Sequence, residues 1–281
     1  MASRRKKSNF RNSEEIQKQY INYLRAKELS ESTIDAYTTS VKQYFLMHET
    51  ITKENGISWK HELLAQGKKA KTVNVRLNAY NSLCEMLHQD ECKCKAVKIH
   101  QATAISNVIS DSDYKKLLRC LANDQNLKWY YGIKLIAVTG ARVSEYVCLQ
   151  KKDFDRGYAE LWTKGKIRRI YIPKSYRDEA ASYYASLSPD DYLMANRFGE
   201  KMTTRGVATM LQKFSLKYDI DSRCMHPHSF RHLFAIEFLE RNSNLSLLAD
   251  LMGHSSVSTT AIYTRMTKEQ QQLAVDAAVC W

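Results

Sequence analysis

Helical periodicity is the sequence feature that most constrains the fold of this 281-residue chain. Apolar residues recur every three or four positions along most of it, which is typical of amphipathic helices, and only three prolines interrupt them. We predict four helices in the N-terminal third, with Ser30 capping the second and Ser58 capping the third. One strand pair breaks the pattern, from Tyr158 to Thr163 and from Arg168 to Pro173, around a turn at residues 164–166. The sequence therefore predicts a mainly α protein with a small antiparallel sheet.

The helical pattern lapses between residues 91 and 109 and resumes where Ser110 offers a new helix cap. We expect a domain boundary in this interval. It separates a helical domain over residues 13–105 from a mixed α+β domain over residues 106–281, which ends in a tail helix. Residues 1–12 are rich in Arg and Lys and have little to bury, so they are predicted to form a flexible basic arm.

The charge balance indicates a polyanionic partner. The chain has 43 Lys and Arg residues against 30 Asp and Glu, which gives a formal net charge of +13. The excess favours nucleic acid, and both predicted domains carry a share of it, as a two-domain clamp would. No apolar run is long enough for a membrane span, and no apolar stretch follows the basic N-terminus as in a secretory signal. A cytoplasmic location is expected.

The seven cysteines are odd in number and irregularly spaced, which indicates reduced thiols rather than a disulfide framework. Cys92 and Cys94 have no second cysteine pair at the spacing of a zinc site. We therefore expect them to be packing or surface thiols and not metal ligands.

A segment rich in histidine and arginine covers residues 226–232. The proline at its second position is suited to the first turn of a helix. That helix would place His228, Arg231 and His232 on one face, at positions i, i+3 and i+4. A cationic face that donates hydrogen bonds complements a phosphate, and the downstream Tyr263 offers a hydroxyl nucleophile. The pattern favours a tyrosine that attacks a DNA phosphodiester.

Two glycines are predicted to end helices in the left-handed conformation, just before further polar side chains. Gly140 precedes Arg142, whose guanidinium in a tight corner between helices can aim its planar donor fork at a phosphate. Gly253 precedes His254 in the same way. Each signal is weak when taken alone, because many helical corners carry an Arg or His that has no ligand.

Together these motifs resemble those of the tyrosine recombinase family, the phage-integrase and Xer-like enzymes. The matching segments are Gly140-Ala141-Arg142-Val143-Ser144-Glu145, Thr163-Lys164-Gly165-Lys166, His228-Ser229-Phe230-Arg231-His232, and Leu251-Met252-Gly253-His254-Ser255-Ser256 with Tyr263. Their order and spacing fit the family throughout the C-terminal two-thirds of the chain. The N-terminal domain agrees with the family only in helical content, size and charge.

The resemblance implies a site-specific recombinase that cleaves and rejoins DNA strands through a 3'-phosphotyrosyl intermediate, without metal, ATP or another cofactor. Integration or excision of a mobile element is the expected task. The helical domain would be a core DNA-binding domain and the second domain the catalytic one. The implied partners are a double-stranded DNA recombination site and three further copies of the chain, in a homotetramer on two duplexes.

The resemblance also implies roles for individual residues. The catalytic set would be Arg142, Lys164, His228, Arg231, His254 and the nucleophile Tyr263. The two arginines would stabilise charge on the phosphate oxygens, and His228 would accept the tyrosine proton. Lys164 would protonate the leaving 5' oxygen, with Lys166 as its competitor.

Other residues are expected to support the reaction or the binding of DNA. Glu145 and His232 are predicted to support the catalytic side chains, whereas His226 is expected to pack. Predicted DNA contacts are Lys69, Lys71, Arg76 and Lys166.

Three alternatives remain open at this stage. The first is metal-dependent hydrolysis, because the sequence supplies four imidazoles that could hold an ion, those of His226, His228, His232 and His254. The second is a DNA-binding protein of the same fold that has lost the chemistry. The third is DNA relaxation of the type IB topoisomerase kind. The apolar tail over residues 267–281 bears on the third, since it could dock on its own chain or on a neighbouring protomer.

Overall fold

The structure, a computed structural model, describes residues 15–99, 107–163, 166–253, 260–264, 276 and 279. It is mostly helical and contains a small two-stranded antiparallel sheet, as predicted. The chain divides into two compact units, Met1–Gln101 and Ala102–Trp281. The sequence placed its boundary nearby, before residue 106.

The described part of the first unit forms four helices and a short 3-10 segment. These are α1 (15–26), α2 (Glu31–Met47), α3 (Lys53–Ala65), α4 (Ala70–Met86) and the 3-10 segment Asp90–Cys92. Ser30 caps α2 as predicted, because its side chain accepts the N–H of Thr33.

The prediction that Ser58 caps the third helix is wrong. Helix α3 begins six residues earlier, at Lys53, and its cap is Thr52, whose side chain accepts the N–H of Asn55. Ser58 lies inside the helix, where its hydroxyl donates to Glu62 at 3.0 Å. Gly56 also belongs to α3. Its lack of a side chain makes room for neighbouring groups of the core.

The core of the first unit is aromatic and contains buried thiols. Tyr44 packs edge-on against Trp59 at a centroid distance of 5.2 Å, and both rings are fully buried. Three cysteines of this core, Cys84, Cys92 and Cys94, are free thiols and are buried. Cys92 and Cys94 are therefore packing thiols, one of the two options predicted.

The described part of the second unit contains eight α-helices, one strand pair and a 3-10 segment. They are α5 (Asp111–Asn123), α6 (Leu127–Thr139), α7 (Val143–Tyr146), α8 (Lys151–Arg156), β1 (Tyr158–Thr163), β2 (Lys166–Tyr171), α9 (Lys174–Tyr184), α10 (Thr204–Tyr218), α11 (Pro227–Arg241), α12 (Leu245–Met252) and the 3-10 segment Ala261–Thr264. Ser110 caps α5 as predicted. Among the described residues, none of the helices is both long enough and apolar enough to cross a bilayer.

The strand pair is a hairpin whose second strand begins earlier than predicted. Strand β2 starts at Lys166, which pairs with Thr163, and it ends at Tyr171 rather than at Pro173. Lys166 is therefore a strand residue and not a turn residue. Along β2 the side chains alternate between two environments: Arg168 and Ile170 are buried, whereas Arg169 is exposed.

Helix α11 lies in the middle of the second unit, in contact with α6, α10, α12 and the 3-10 segment. Its buried face includes Phe230 and Ala235, both fully excluded from solvent. The hydroxyl of Ser229 accepts the N–H of Ile109 at 2.7 Å, which fixes the start of the helix to the start of the unit. The core thus fixes the first turn of α11, where the predicted site residues lie.

Candidate active site

Helix α11 starts as the sequence predicts, with Pro227 at its first position. His226 caps the helix, because its Nδ1 accepts the backbone N–H of Ser229 at 3.1 Å. The residue is only half-buried. Its expected packing role is therefore replaced by a capping role.

Arg231 is almost completely buried, with 1% of its surface exposed. Its Nη1 donates to the carbonyl of Gly140 at 2.6 Å, and its Nη2 donates to the carbonyl of Met252. Burial lowers the pKa of the guanidinium to about 10, with a further contribution from the positive charges of Arg168 and Arg142. Arg231 is still a cation at neutral pH, and two helix ends hold it in place.

Arg142 occupies the corner predicted from the sequence. Gly140 ends α6 in the left-handed conformation, with φ 59°, and Arg142 then caps α7. Its Nη1 donates to Glu145 Oε1 at 2.9 Å and its Nη2 to the carbonyl of Gly253 at 2.7 Å. The side chain is 38% exposed, so this guanidinium is held in place and remains accessible.

Glu145 is the carboxylate that organises this corner. It is 4% exposed and accepts hydrogen bonds from the backbone N–H and the guanidinium of Arg142, and from Arg168. Burial by itself would raise its pKa, but the hydrogen bonds from Arg168 and Arg142 outweigh that effect and lower it. The carboxylate is therefore ionised, and it is hydrogen-bonded to two guanidinium groups.

Arg168 is a residue of this cluster that the sequence analysis missed. Its side chain is 6% exposed; Nη1 donates to Glu145 Oε2 and Nη2 donates to the carbonyl of Leu251 at 2.8 Å. Burial lowers its pKa, and the hydrogen bond and charge of Glu145 oppose that shift. A signal was available, because Arg168 alternates in register with Ile170 on the inward face of β2. An arginine at such a position needs a buried partner.

The three arginines converge on the end of α12. Helix α12 ends at Gly253, which is left-handed with φ 60°, as predicted. The carbonyls of three successive residues, Leu251, Met252 and Gly253, accept hydrogen bonds from Arg168, Arg231 and Arg142 respectively. These carbonyls have no partner within a helix and lie at its negative end, so cations are favoured there. We call Arg142, Arg168 and Arg231 the arginine clamp.

Tyr263 is half-buried in the last 3-10 segment, and its hydroxyl lies 2.6 Å from His232 Nδ1. The hydroxyl donates in this hydrogen bond when the ring is neutral and protonated on Nε2. Burial raises the pKa of Tyr263 to about 12, although the charge of Arg231 opposes the shift. The ring of His228 is exposed and lies beside His232, at a centroid distance of 4.4 Å.

The structure therefore brings together six of the predicted catalytic and supporting residues in the second unit and adds Arg168. The six are Arg142, Glu145, His228, Arg231, His232 and Tyr263. Lys164 and His254 lie outside the described residues, and Lys166 is described only in its backbone. The described side chains include no group of three or more His, Cys, Asp or Glu residues that could hold a metal ion.

The predicted DNA contacts of the first unit lie near the start of α4. Lys69 is the N-cap residue of that helix, and Lys71 follows in its first turn. Both are exposed, whereas Arg76 is half-buried one turn further on. The two lysines are thus accessible to a polyanion.

Two family models match the chain. The phage integrase N-terminal SAM-like domain matches residues 17–91, and the phage integrase family model matches residues 107–270, more than half of the chain. The chain belongs to the phage integrase family. The tyrosine recombinase motifs of the sequence analysis had indicated this membership, and the match confirms it.

Relatives of this integrase-family chain match over nearly its whole length. Tyrosine recombinase XerD of Oceanobacillus iheyensis is 25% identical over 276 residues, which cover 89% of this chain and 93% of the relative. Tyrosine recombinase XerA of Pyrococcus furiosus is 27% identical over 274 residues, which cover 94% of each chain.

Solved structures of similar fold include recombinases bound to DNA. The Tn1549 transposon integrase in complex with transposon right end DNA superposes with a TM-score of 0.72 at 16% identity, covering 94% of this chain and 99% of that one. XerH bound to its difH substrate after cleavage gives a TM-score of 0.69 at 18% identity, covering 92% and 82%. These likenesses confirm the predicted fold.

Proposed function

We propose that this phage integrase family member is a site-specific tyrosine recombinase that cleaves and rejoins DNA strands through a 3'-phosphotyrosyl ester at Tyr263. The observation that supports the proposal is the hydrogen bond between the hydroxyl of Tyr263 and His232. The positive charge of the buried Arg231 also acts on this phenol. A phenol with an adjacent base and an adjacent guanidinium group has what attack on a phosphodiester requires.

The arginines would provide most of the catalysis. Tyr263 Oη forms a bond to phosphorus while the bond to the 5' oxygen breaks, and negative charge develops on the non-bridging oxygens. An enzyme must remove about 20 kcal/mol from the barrier of so slow a reaction. Arg142 and Arg231 are pre-positioned donors, and their partners hold them before substrate arrives.

The tyrosine proton must be removed during attack. With a pKa of about 12, the phenol of Tyr263 is almost entirely protonated at neutral pH. His232 Nδ1 is in hydrogen-bonding contact with it and would accept the proton when the ring is neutral and protonated on Nε2. His228, the base implied by the resemblance, lies beside His232 and would act as the next group in the path.

The leaving 5' oxygen needs a proton in return, and the resemblance assigns this role to Lys164. His254 would add a hydrogen bond to the phosphate. Both assignments rest on motif position, with Lys166 as the competitor of Lys164. Because the ester conserves the energy of the phosphodiester, rejoining by the 5' hydroxyl of a second strand would require no ATP.

DNA binding would involve both predicted domains, 13–105 and 106–281. The net charge of +13 and the exposed Lys69 and Lys71 are suited to phosphate contacts, with Arg76 beside them and Lys166 on the hairpin. A homotetramer on two duplexes, joined through the tail, is the assembly we propose. Integration or excision of a mobile element in the cytoplasm is the task.

Covalent capture tests the proposal without knowledge of the target sequence. Protein is incubated with nicked fragments of host and element DNA, and adducts that survive SDS are isolated and sequenced. We expect wild-type protein to retain a defined DNA sequence, and Tyr263→Phe to retain none while still binding DNA in gel shifts. Tyr171→Phe, the same change at an exposed tyrosine of β2, is the matched control and should behave like the wild type. An adduct formed by Tyr263→Phe would refute the assignment.

A further inference from the structure

Arg168 differs from the other two arginines of the clamp in what it contacts. Arg142 is partly accessible, and Arg231 is close enough to Tyr263 for its charge to oppose the rise in pKa that burial gives that phenol. Arg168 is buried on the inward face of β2 and bonds to Glu145 and to the carbonyl of Leu251. Its guanidinium is therefore used within the protein, on the carboxylate that Arg142 also uses.

This buried position is costly. A guanidinium loses its hydration on burial, and Arg168 Nε has no hydrogen-bond partner among the described residues. An apolar side chain of similar size at this position, beside Ile170, would meet no such cost. The backbone at Gly253 also lies close to the Arg168 side chain, since a Cβ added at Gly253 would lie 2.5 Å from Arg168 Cδ. Packing alone does not account for an arginine here.

What Arg168 adds is a fixed position for Glu145. The carboxylate of Glu145 accepts from Arg142 on Oε1 and from Arg168 on Oε2. The bond from Arg168 therefore limits the movement of the carboxylate that holds Arg142. Arg168 is itself hydrogen-bonded to α12 through the carbonyl of Leu251, two residues before Gly253, whose carbonyl holds Arg142. The hairpin, the corner at Arg142 and the end of α12 are joined by this one side chain.

We propose that Arg168 is a positioning residue for strand cleavage: it acts through Glu145 to hold the guanidinium of Arg142 in the orientation that receives the scissile phosphate. The inference rests on the proposed function. Arg168 itself would not contact the DNA.

The test compares one conservative variant, Arg168→Lys, with a matched control. Arg168→Lys keeps the charge, but an ammonium is a point donor and cannot bridge Glu145 and Leu251 as the guanidinium does. We expect single-turnover adduct formation on the captured DNA to slow about 10- to 100-fold, because small misplacements of catalytic groups have effects of that size. DNA affinity should change less than about two-fold. Arg169→Lys, the same change at the exposed neighbour paired with Glu160, should leave both unchanged.

A double-mutant cycle separates positioning from general weakening of the fold. In an Arg142→Lys background the guanidinium to be positioned is gone, so adding Arg168→Lys should slow cleavage less than about three-fold. An equal loss in both backgrounds, or no loss in the wild-type background, would overturn the inference.

A second variant covers the case in which Arg168→Lys folds poorly. Glu145→Gln with Arg168→Met removes both buried charges, so it should melt close to the wild type and cleave as slowly as Glu145→Gln alone. Slower cleavage than that single variant would show that Arg168 acts by another route and would overturn the inference. If wild-type protein forms no adduct on any DNA, the proposed function fails and this inference with it; the other adverse outcomes defeat the inference alone.

Discussion

At the level of single residues, the chemistry of the site depends on which histidine accepts the proton of Tyr263. The resemblance favours His228, whereas the hydrogen bond is made by His232. The two residues are one helical turn apart on α11, so the sequence placed both near the tyrosine but could not rank them. The ranking depends on where the segment containing Tyr263 packs, about thirty residues further along the chain.

A pH profile distinguishes the two histidines. If His232 accepts the proton, single-turnover cleavage should rise with pH through the range in which histidines titrate, because only the neutral ring is a base. His232→Gln should lower the rate about 100-fold and remove this rise. His228→Gln should reduce the rate less and keep the rise. The reverse pattern would return the role to His228.

Among single residues, Arg168 shows the limit of prediction from sequence. The period-two alternation of β2 puts it on the same face as Ile170, so its burial could have been predicted. Its partners could not, because Leu251 lies 83 positions away and comes within reach only when α12 packs against the hairpin. Arg142, Arg231 and Tyr263 were found because their motifs are local and their spacing resembles a known family.

At the level of secondary-structure elements, termini were predicted well where a side chain or glycine ends the helix locally. Ser30, Ser110, Pro227, Gly140 and Gly253 all occupy the predicted capping or first-turn positions. The start of α3 was predicted wrongly, because Thr52, six residues before Ser58, provides the cap and the helix continues through Gly56.

The end of α12 gives a prediction with a built-in control. Gly253→Ala introduces a Cβ into a left-handed residue and within 2.5 Å of Arg168. Gly199 is also left-handed, with φ 81°, but nothing lies within 4 Å of the added Cβ. We expect Gly199→Ala to cost about 1 kcal/mol of unfolding free energy from backbone strain alone. Gly253→Ala should cost about 1–3 kcal/mol more and slow cleavage. Equal losses in denaturant titrations would mean that the close approach has no energetic effect.

At the level of the whole molecule, composition predicted the class of partner and periodicity predicted the fold class. Neither contains the DNA sequence that is recognised, because groove contacts and DNA deformability decide it. The positive charge that suits the chain to DNA also bears on the chemistry. Among the described residues, the arginine clamp places three guanidinium groups near the carboxylate of Glu145, which is hydrogen-bonded to two of them.

The proposal that cleavage needs no metal ion can be tested by removing metal ions. A divalent cation at the phosphate would be repelled by Arg142 and Arg231, which already provide the charge that it would supply. We therefore expect adduct formation and rejoining to proceed at the same rates in excess EDTA and without ATP. Loss of cleavage in EDTA that added Zn²⁺ or Mg²⁺ restores would favour the metal-dependent alternative.

The residue to which the DNA becomes attached shows directly whether Tyr263 is the nucleophile. The captured adduct is trimmed with nuclease and protease, and the modified peptide is sequenced by mass spectrometry. We expect the nucleotide to be joined through its 3' phosphate to the peptide containing Tyr263. A nucleotide on any other residue, or one attached through a 5' phosphate, would contradict it.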